Sequence, residues 1–184
     1  MASNCVNRIF LIGFMGCGKT TMGRYFAEQL QWQWIDLDRF IENYCRKTVA
    51  QIIAEYGEDY FRAVERDILL EVASAELTVI SAGGGTPCFH NNMALMKASG
   101  LTCYLRCSTD VLTERLAQSI DSRPLMRNLQ GQPLQMHVAE LLEQRKIFYE
   151  QADIIIDWEK NTFKDTHKIF SEIAQKPLSA RSLS

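Results

Sequence analysis

The chain has 184 residues, 47% of them hydrophobic, and a formal net charge of −2 at pH 7. That length reads as one compact domain with enough apolar residues for a single core. A charge so close to neutral excludes a global field that would draw in nucleic acid or an acidic membrane, so an anionic partner must be met by locally placed arginines.

Taken in chain order, "VNRIFLI" is a short apolar run rich in β-branched residues and predicts a buried strand. Residues Lys19–Leu30 set Met22, Tyr25, Phe26 and Leu30 at helical spacing. "WQWID" predicts a second strand. Residues 37–75 read as a long helical stretch, broken near Lys47 and Thr48 and again at Gly57. "TVISA" predicts a third strand that runs straight into three glycines. A helix over 90–99, a fourth strand "LTCYLRC" and a helix over 109–119 follow. Pro124, Gly131 and Pro133 interrupt the polar segment "IDSRPLMRNLQGQP". Residues 134–152 predict a helix, "DIIID" a fifth strand and 162–175 a last helix, while "PLSARSLS" reads as a frayed tail.

Short apolar strands separated by helices predict an α/β fold, a parallel sheet covered on both faces. Ligands in such sheets lie at the carboxyl ends of the strands. "GFMGCGKT", "DLD" and "AGGG" all fall at that edge. Six cysteines occur without a C-x-x-C pair or zinc-like spacing. No apolar signal core is seen near the start, and no apolar run approaches the ~18 residues of a membrane span. The expectation is a cytoplasmic protein with reduced thiols, Cys103 and Cys107 being core.

The pattern G-x-x-x-x-G-K-[ST] is met by Gly13, Gly18, Lys19 and Thr20, between a predicted strand and a predicted helix. Glycine lets the backbone turn with positive φ and brings N–H groups close to an anion. The helix N-terminus adds oriented dipoles. Lys19 can reach the β/γ phosphates and the Thr20 hydroxyl can ligate Mg²⁺. Gly13, Gly16, Cys17, Gly18, Lys19, Thr20 and Thr21 are therefore the candidate ATP-binding segment, with Thr21 itself reading as plain helix. The bland alternative is a glycine-rich turn without a ligand. No N-K-x-D base-reading motif of a switch GTPase occurs, and the length suits a small-molecule kinase.

Four further groups are candidates for the site, two of them, the D-x-D pair and the glycine run, on that same edge. Asp36 and Asp38 form D-x-D at the end of the second strand, where alternation would put both carboxylates on one side. One can hold Mg²⁺ through water and the other orient or deprotonate a hydroxyl. Alternatively, Asp38 is the N-cap of the next helix. Arg62 and Glu65, three apart on a helix, are either part of a site or a surface ion pair. Gly83, Gly84 and Gly85 suggest a close approach to something. Arg123 and Arg145 could each clamp a carboxylate or phosphate, or simply be solvated.

In the order "GFMGCGKTT", "WIDLD", "GEDYFRAVE", "SAGGG", "RPL" and "RKIFYEQA", the chain resembles the shikimate kinase family from about residue 8 to 170. The resemblance implies a P-loop, nucleoside-monophosphate-kinase-like three-layer fold with a five-stranded parallel sheet in the order 2-3-1-4-5. It implies one domain over 1–176, a helical substrate-binding insertion over about 37–62, a mobile lid over about 116–131, and a disordered tail over 177–184. It implies transfer of the γ-phosphate of ATP to the 3-hydroxyl of shikimate, on the route to chorismate and aromatic amino acids, by a monomer.

By the same resemblance, Asp38 holds the reacting hydroxyl and Asp36 reaches Mg²⁺ through water beside Thr20. Arg62 and Arg145 clamp the shikimate carboxylate, Glu65 steadies Arg62, and Gly84 with Gly85 meets the ring hydroxyls, Gly83 being a further substrate-binding residue. Arg123 on the lid joins Lys19 at the transferring phosphoryl group. Arg115 lies over adenine, which "DWEKNTF" borders. Ser81 acts at the metal only through water. A gluconate or nucleotide kinase of the same fold, and a regulatory module that binds nucleotide without turnover, stay open as alternatives.

Overall fold

The run Arg8–Ile12 (β1) is buried at every residue, as expected of a strand with neighbours on both edges and layers on both faces. It is the centre of a five-stranded parallel sheet in a computed structural model that describes residues 6–118 and 133–159. The other strands are Gln33–Asp36 (β2), Thr78–Ser81 (β3), Leu101–Arg106 (β4) and Ile154–Asp157 (β5). Their order is β2-β3-β1-β4-β5, with all adjacent pairs parallel. Phe10 lies beside Ile80 on one flank and Thr102 on the other. This is the order the resemblance implied.

The helices are Lys19–Leu30 (α1), Leu37–Cys45 (α2), Val49–Tyr56 (α3), Glu58–Val72 (α4), Asn92–Ser99 (α5), Thr109–Ala117 (α6) and Leu134–Tyr149 (α7). The stretch over 37–75 does break at both expected places, for identifiable reasons. Arg46 ends α2 in the left-handed region at φ 53. Thr48 then opens α3 with a reciprocal capping box to Gln51. Gly57, at φ 88, separates α3 from α4, a value that glycine adopts without a Cβ clash. The helix expected over 90–99 starts two residues late, because His90 and Asn91 take left-handed φ values of 48 and 57. A 3-10 turn over Thr86–Cys88 follows the three glycines; the sequence did not announce it.

Cys103 and Cys107 are buried as expected. At the opposite edge of the sheet from the glycine motifs, buried Arg8 donates from Nε to the Ala75 carbonyl at 2.5 Å and from Nη1 to that of Ser99, near the ends of α4 and α5. Such charge-assisted contacts satisfy carbonyls that a helix terminus leaves unpaired. The expected last helix, the tail and most of the expected lid, with Arg123, lie outside the described residues. Among the described residues, no helix is long and apolar enough to cross a membrane.

Candidate active site

The loop from Gly13 to Gly18 joins β1 to α1. Gly13, Gly16 and Gly18 have φ values of 139, 81 and 99, a region that side chains rarely enter. A Cβ on Gly13 would also sit 2.8 Å from the Leu105 carbonyl oxygen. Gly18 caps α1 without a side-chain hydrogen bond, and the first turn of α1 carries no acidic residue. Its N–H groups are therefore left for an anion. The Lys19 ammonium folds over the loop and donates to the carbonyls of Gly13 (2.8 Å) and Phe14 (2.9 Å). The cradle holds its own cation at the centre.

Asp36 and Asp38 do not share the face of a strand. Asp36 is the last residue of β2 and, rather than Asp38, is the N-cap of α2, its Oδ1 accepting from the Arg39 amide at 3.3 Å. The strand turns into helix one residue too early for simple alternation to hold. Asp36 Oδ2 accepts from the Thr20 hydroxyl at 2.8 Å, which puts two hard oxygen donors together beside the phosphate loop. Asp38 lies in the first turn of α2. Burial, reinforced by the nearby Glu65 carboxylate, pushes its pKa up to about 6, although Lys19 pulls the other way. A carboxylate tuned towards neutrality is suited to accepting a proton at physiological pH.

The surface ion-pair reading of Arg62 and Glu65 fails, because both are buried, at 8% and 1% exposure. Arg62 Nη1 donates to Glu65 Oε2 at 2.8 Å, while its Nε and Nη2 reach Glu58 Oε1 at 3.2 and 2.9 Å. Thr86 Oγ1 donates to the other Glu65 oxygen at 2.6 Å. Burial works against the Arg62 charge, but Glu65 and Glu58 outweigh it and hold its pKa above the ordinary value. The guanidinium packs 4.1 Å over the Phe89 ring and against Gly85, where a Cβ would lie 2.6 Å from Nη2. Gly83 is tight for a related reason, since a Cβ there would meet Asp38 Oδ1 at 2.6 Å. Gly83 and Gly85 thus make room for the charged groups around them.

Arg145 projects from α7, and its Nη1 is buried without a hydrogen-bond partner among the described residues. Unpaired buried polar atoms are rare, and this one is a donor available to an acceptor that enters the cleft. Lys19, Thr20, Asp36, Asp38, Arg62, Glu65, Gly83, Gly84, Gly85 and Arg145 all line one cleft of about 670 Å³. Gly16, Gly18 and exposed Thr21 border it too, whereas Gly13, buried Cys17 and Arg115 do not. Arg115 lies against the phosphate loop, with Nη1 3.4 Å from the Cys17 carbonyl oxygen. Trp158 faces the same loop, its Nε1 3.3 Å from where a Gly18 Cβ would be. Ser81 is already engaged: its hydroxyl donates to the Lys19 carbonyl at 2.9 Å and accepts from Trp34 Nε1 at 3.1 Å.

Sequence reasoning missed Glu58, Thr86 and Tyr149. Glu58 was findable, because it lies four residues before Arg62 on one helix, the spacing of an ion pair. Thr86 and Tyr149 gave no local signal. Tyr149 donates its hydroxyl to the Gly84 carbonyl across the fold. The assembled cleft brings Lys19, two arginines and a raised-pKa carboxylate together, a set that can hold anionic groups and accept a proton.

The family model described as Shikimate kinase matches residues 15–177. Shikimate kinase from Parabacteroides distasonis is 46% identical over 165 residues, covering 89% of this chain and 95% of that protein. Among solved structures, shikimate kinase from Bacteroides thetaiotaomicron superposes with a TM-score of 0.83 at 40% identity, covering 93% of this chain and 99% of the other. The enzyme from Acinetobacter baumannii, in complex with shikimate, gives 0.82 at 27% identity, covering 97% and 96%. With a family match over most of its length and a relative of this identity, the chain belongs to the shikimate kinase family.

Proposed function

We propose that this protein transfers the γ-phosphate of ATP to the 3-hydroxyl of shikimate, giving shikimate 3-phosphate and ADP on the route to chorismate and aromatic amino acids. The observation that carries the reading is the orphaned Arg145 Nη1 in the same cleft as Lys19, Asp38 and Arg62. A carboxylate between the two guanidinium groups satisfies that atom, and it fixes the acceptor ring beside the phosphate loop.

In this reading Lys19 leaves the Gly13 and Phe14 carbonyls for the β/γ phosphates, and the free N–H groups at the start of α1 hold the phosphate oxygens. Asp38 orients the 3-hydroxyl and accepts its proton as the oxygen attacks phosphorus. Glu65 steadies Arg62, and the glycines bring backbone to the ring hydroxyls. Arg123, outside the described residues, joins Lys19 in neutralising the transferring phosphoryl group, and Arg115 with Trp158 borders the adenine. The Thr20 and Asp36 oxygens fit Mg²⁺, which prefers hard donors and shares its coordination with phosphates. When bound, Mg²⁺ supplies neutralisation of the phosphate charge. Residues 37–62 form the acceptor-binding insertion and 116–131 the lid, on a protein working as a monomer in the cytoplasm. Five free cysteines among the described residues support a reducing compartment.

The test is an acceptor screen that follows ADP release with MgATP and shikimate, gluconate or nucleoside monophosphates. Turnover is expected with shikimate alone. ADP release no faster with shikimate than with ATP by itself removes the proposal, and a rate that favours gluconate or a nucleotide transfers the site to that substrate.

A further inference from the structure

Tyr149 ends α7, one turn beyond Arg145, and has no exposed surface. Its ring packs on that of Tyr104, with centroids 5.1 Å apart. Packing alone would be served as well by phenylalanine, because a hydroxyl in a closed interior is unfavourable unless it is paired. The pairing is specific: the hydroxyl donates to the Gly84 carbonyl, 65 residues away in sequence. The Arg145 guanidinium lies beside the same hydroxyl, and its Nη1 lies 3.6 Å from where a Gly84 Cβ would be. Gly84 also presses on the phosphate loop, 3.2 Å from the Met15 amide by the same measure. One phenol therefore touches the glycine turn and neighbours the guanidinium whose Nη1 is unpaired.

We infer that Tyr149 is a positioning residue for the acceptor: its hydroxyl clasps the Gly84 peptide to α7 and sets the spacing between Arg145 and the glycine turn, and hence the geometry in which the carboxylate is held. The inference rests on the reading of this cleft as the shikimate site. Because a peptide is planar and trans, anchoring the Gly84 carbonyl also fixes the direction of the Gly85 N–H. Burial pushes the phenol well above its ordinary range, so the clasp stays protonated and donating wherever the enzyme works.

The experiment is Tyr149→Phe, which keeps the ring against Tyr104, with KM measured for both substrates, the pH profile of kcat, and thermal unfolding. Loss of about one net hydrogen bond predicts a rise in shikimate KM of about 3–10-fold, an unchanged ATP KM and an unshifted kcat–pH midpoint. In an Arg145→Ala background the same change should alter shikimate KM less than about twofold, because neighbouring groups acting together are not additive. An unchanged shikimate KM with a lowered melting temperature makes the hydroxyl purely structural and overturns the inference. Equal rises for both substrates, or a variant that does not fold, also overturn it. A wild type without shikimate-dependent turnover removes the functional reading and this inference with it. An active wild type beside a Phe variant of normal KM removes only the inference.

Discussion

Asp38 carries two opposed demands. A carboxyl raised to about 6 by burial and by Glu65 is a better proton acceptor than an ordinary aspartate, and it also makes the folded state less stable. Its folded pKa lies above its unfolded one, so the native state binds more protons between about pH 4 and 6, and stability falls as pH rises through that window. Asp38→Asn should therefore raise stability at pH 8 by about 1–3 kcal/mol, with the gain shrinking towards zero near pH 4. Urea unfolding of both proteins at the two pH values checks this. The same variant should lose about 10²–10⁴-fold in kcat, and wild-type kcat should climb with pH through about 6. Retained turnover in Asp38→Asn would leave the residue with no part in proton transfer.

At the scale of elements, α1 must lie close to the sheet for its N-terminus to meet the cleft, and Gly23 sets how close. A Cβ there would fall 2.4 Å from Ser81 Oγ and 2.5 Å from Trp34 Nε1. Those two side chains are bonded to each other, and Ser81 is bonded to the Lys19 carbonyl. Gly23 thus lets a polar clasp join β2, β3 and the first turn of α1. Gly23→Ala gains helix propensity of about 1 kcal/mol, but overpacking costs about 1–3 kcal/mol. Net destabilisation is expected, together with a weaker nucleotide KM as the Lys19 turn is displaced. Equilibrium unfolding and ATP kinetics test both halves; a variant more stable than wild type would mean that the clasp yields easily.

The whole molecule gathers its charges where the carboxyl ends of parallel strands meet two helix-bearing segments. Lys19 is bonded to the Gly13 and Phe14 carbonyls, so the cation is tied to the loop that forms the phosphate cradle. Ligand that binds only the native state at 100 times its Kd adds about 2.7 kcal/mol, or about 5–10 °C in melting temperature for a domain of this size. Mg²⁺ with a non-hydrolysable ATP analogue should give such a shift by differential scanning fluorimetry. Lys19→Ala should give little or none at the same ligand concentration. An undiminished shift in that variant would place the phosphates elsewhere.

The phosphate loop, the alternation of strands and helices, and the breaks at Arg46–Thr48 and Gly57 were all legible in the sequence. Each depends on neighbours along the chain: positive φ, capping and periodicity act within a few residues. The sheet order followed only from resemblance. Tertiary structure alone decided that Arg62 and Glu65 are a buried pair, that Asp38 is buried near Glu65, and that Tyr149 joins α7 to Gly84. Burial, electrostatic coupling and orphaned polar atoms are properties of what packs against a side chain. Here those partners lie on other elements or depend on how deeply a helix is covered, and local sequence carries no record of either.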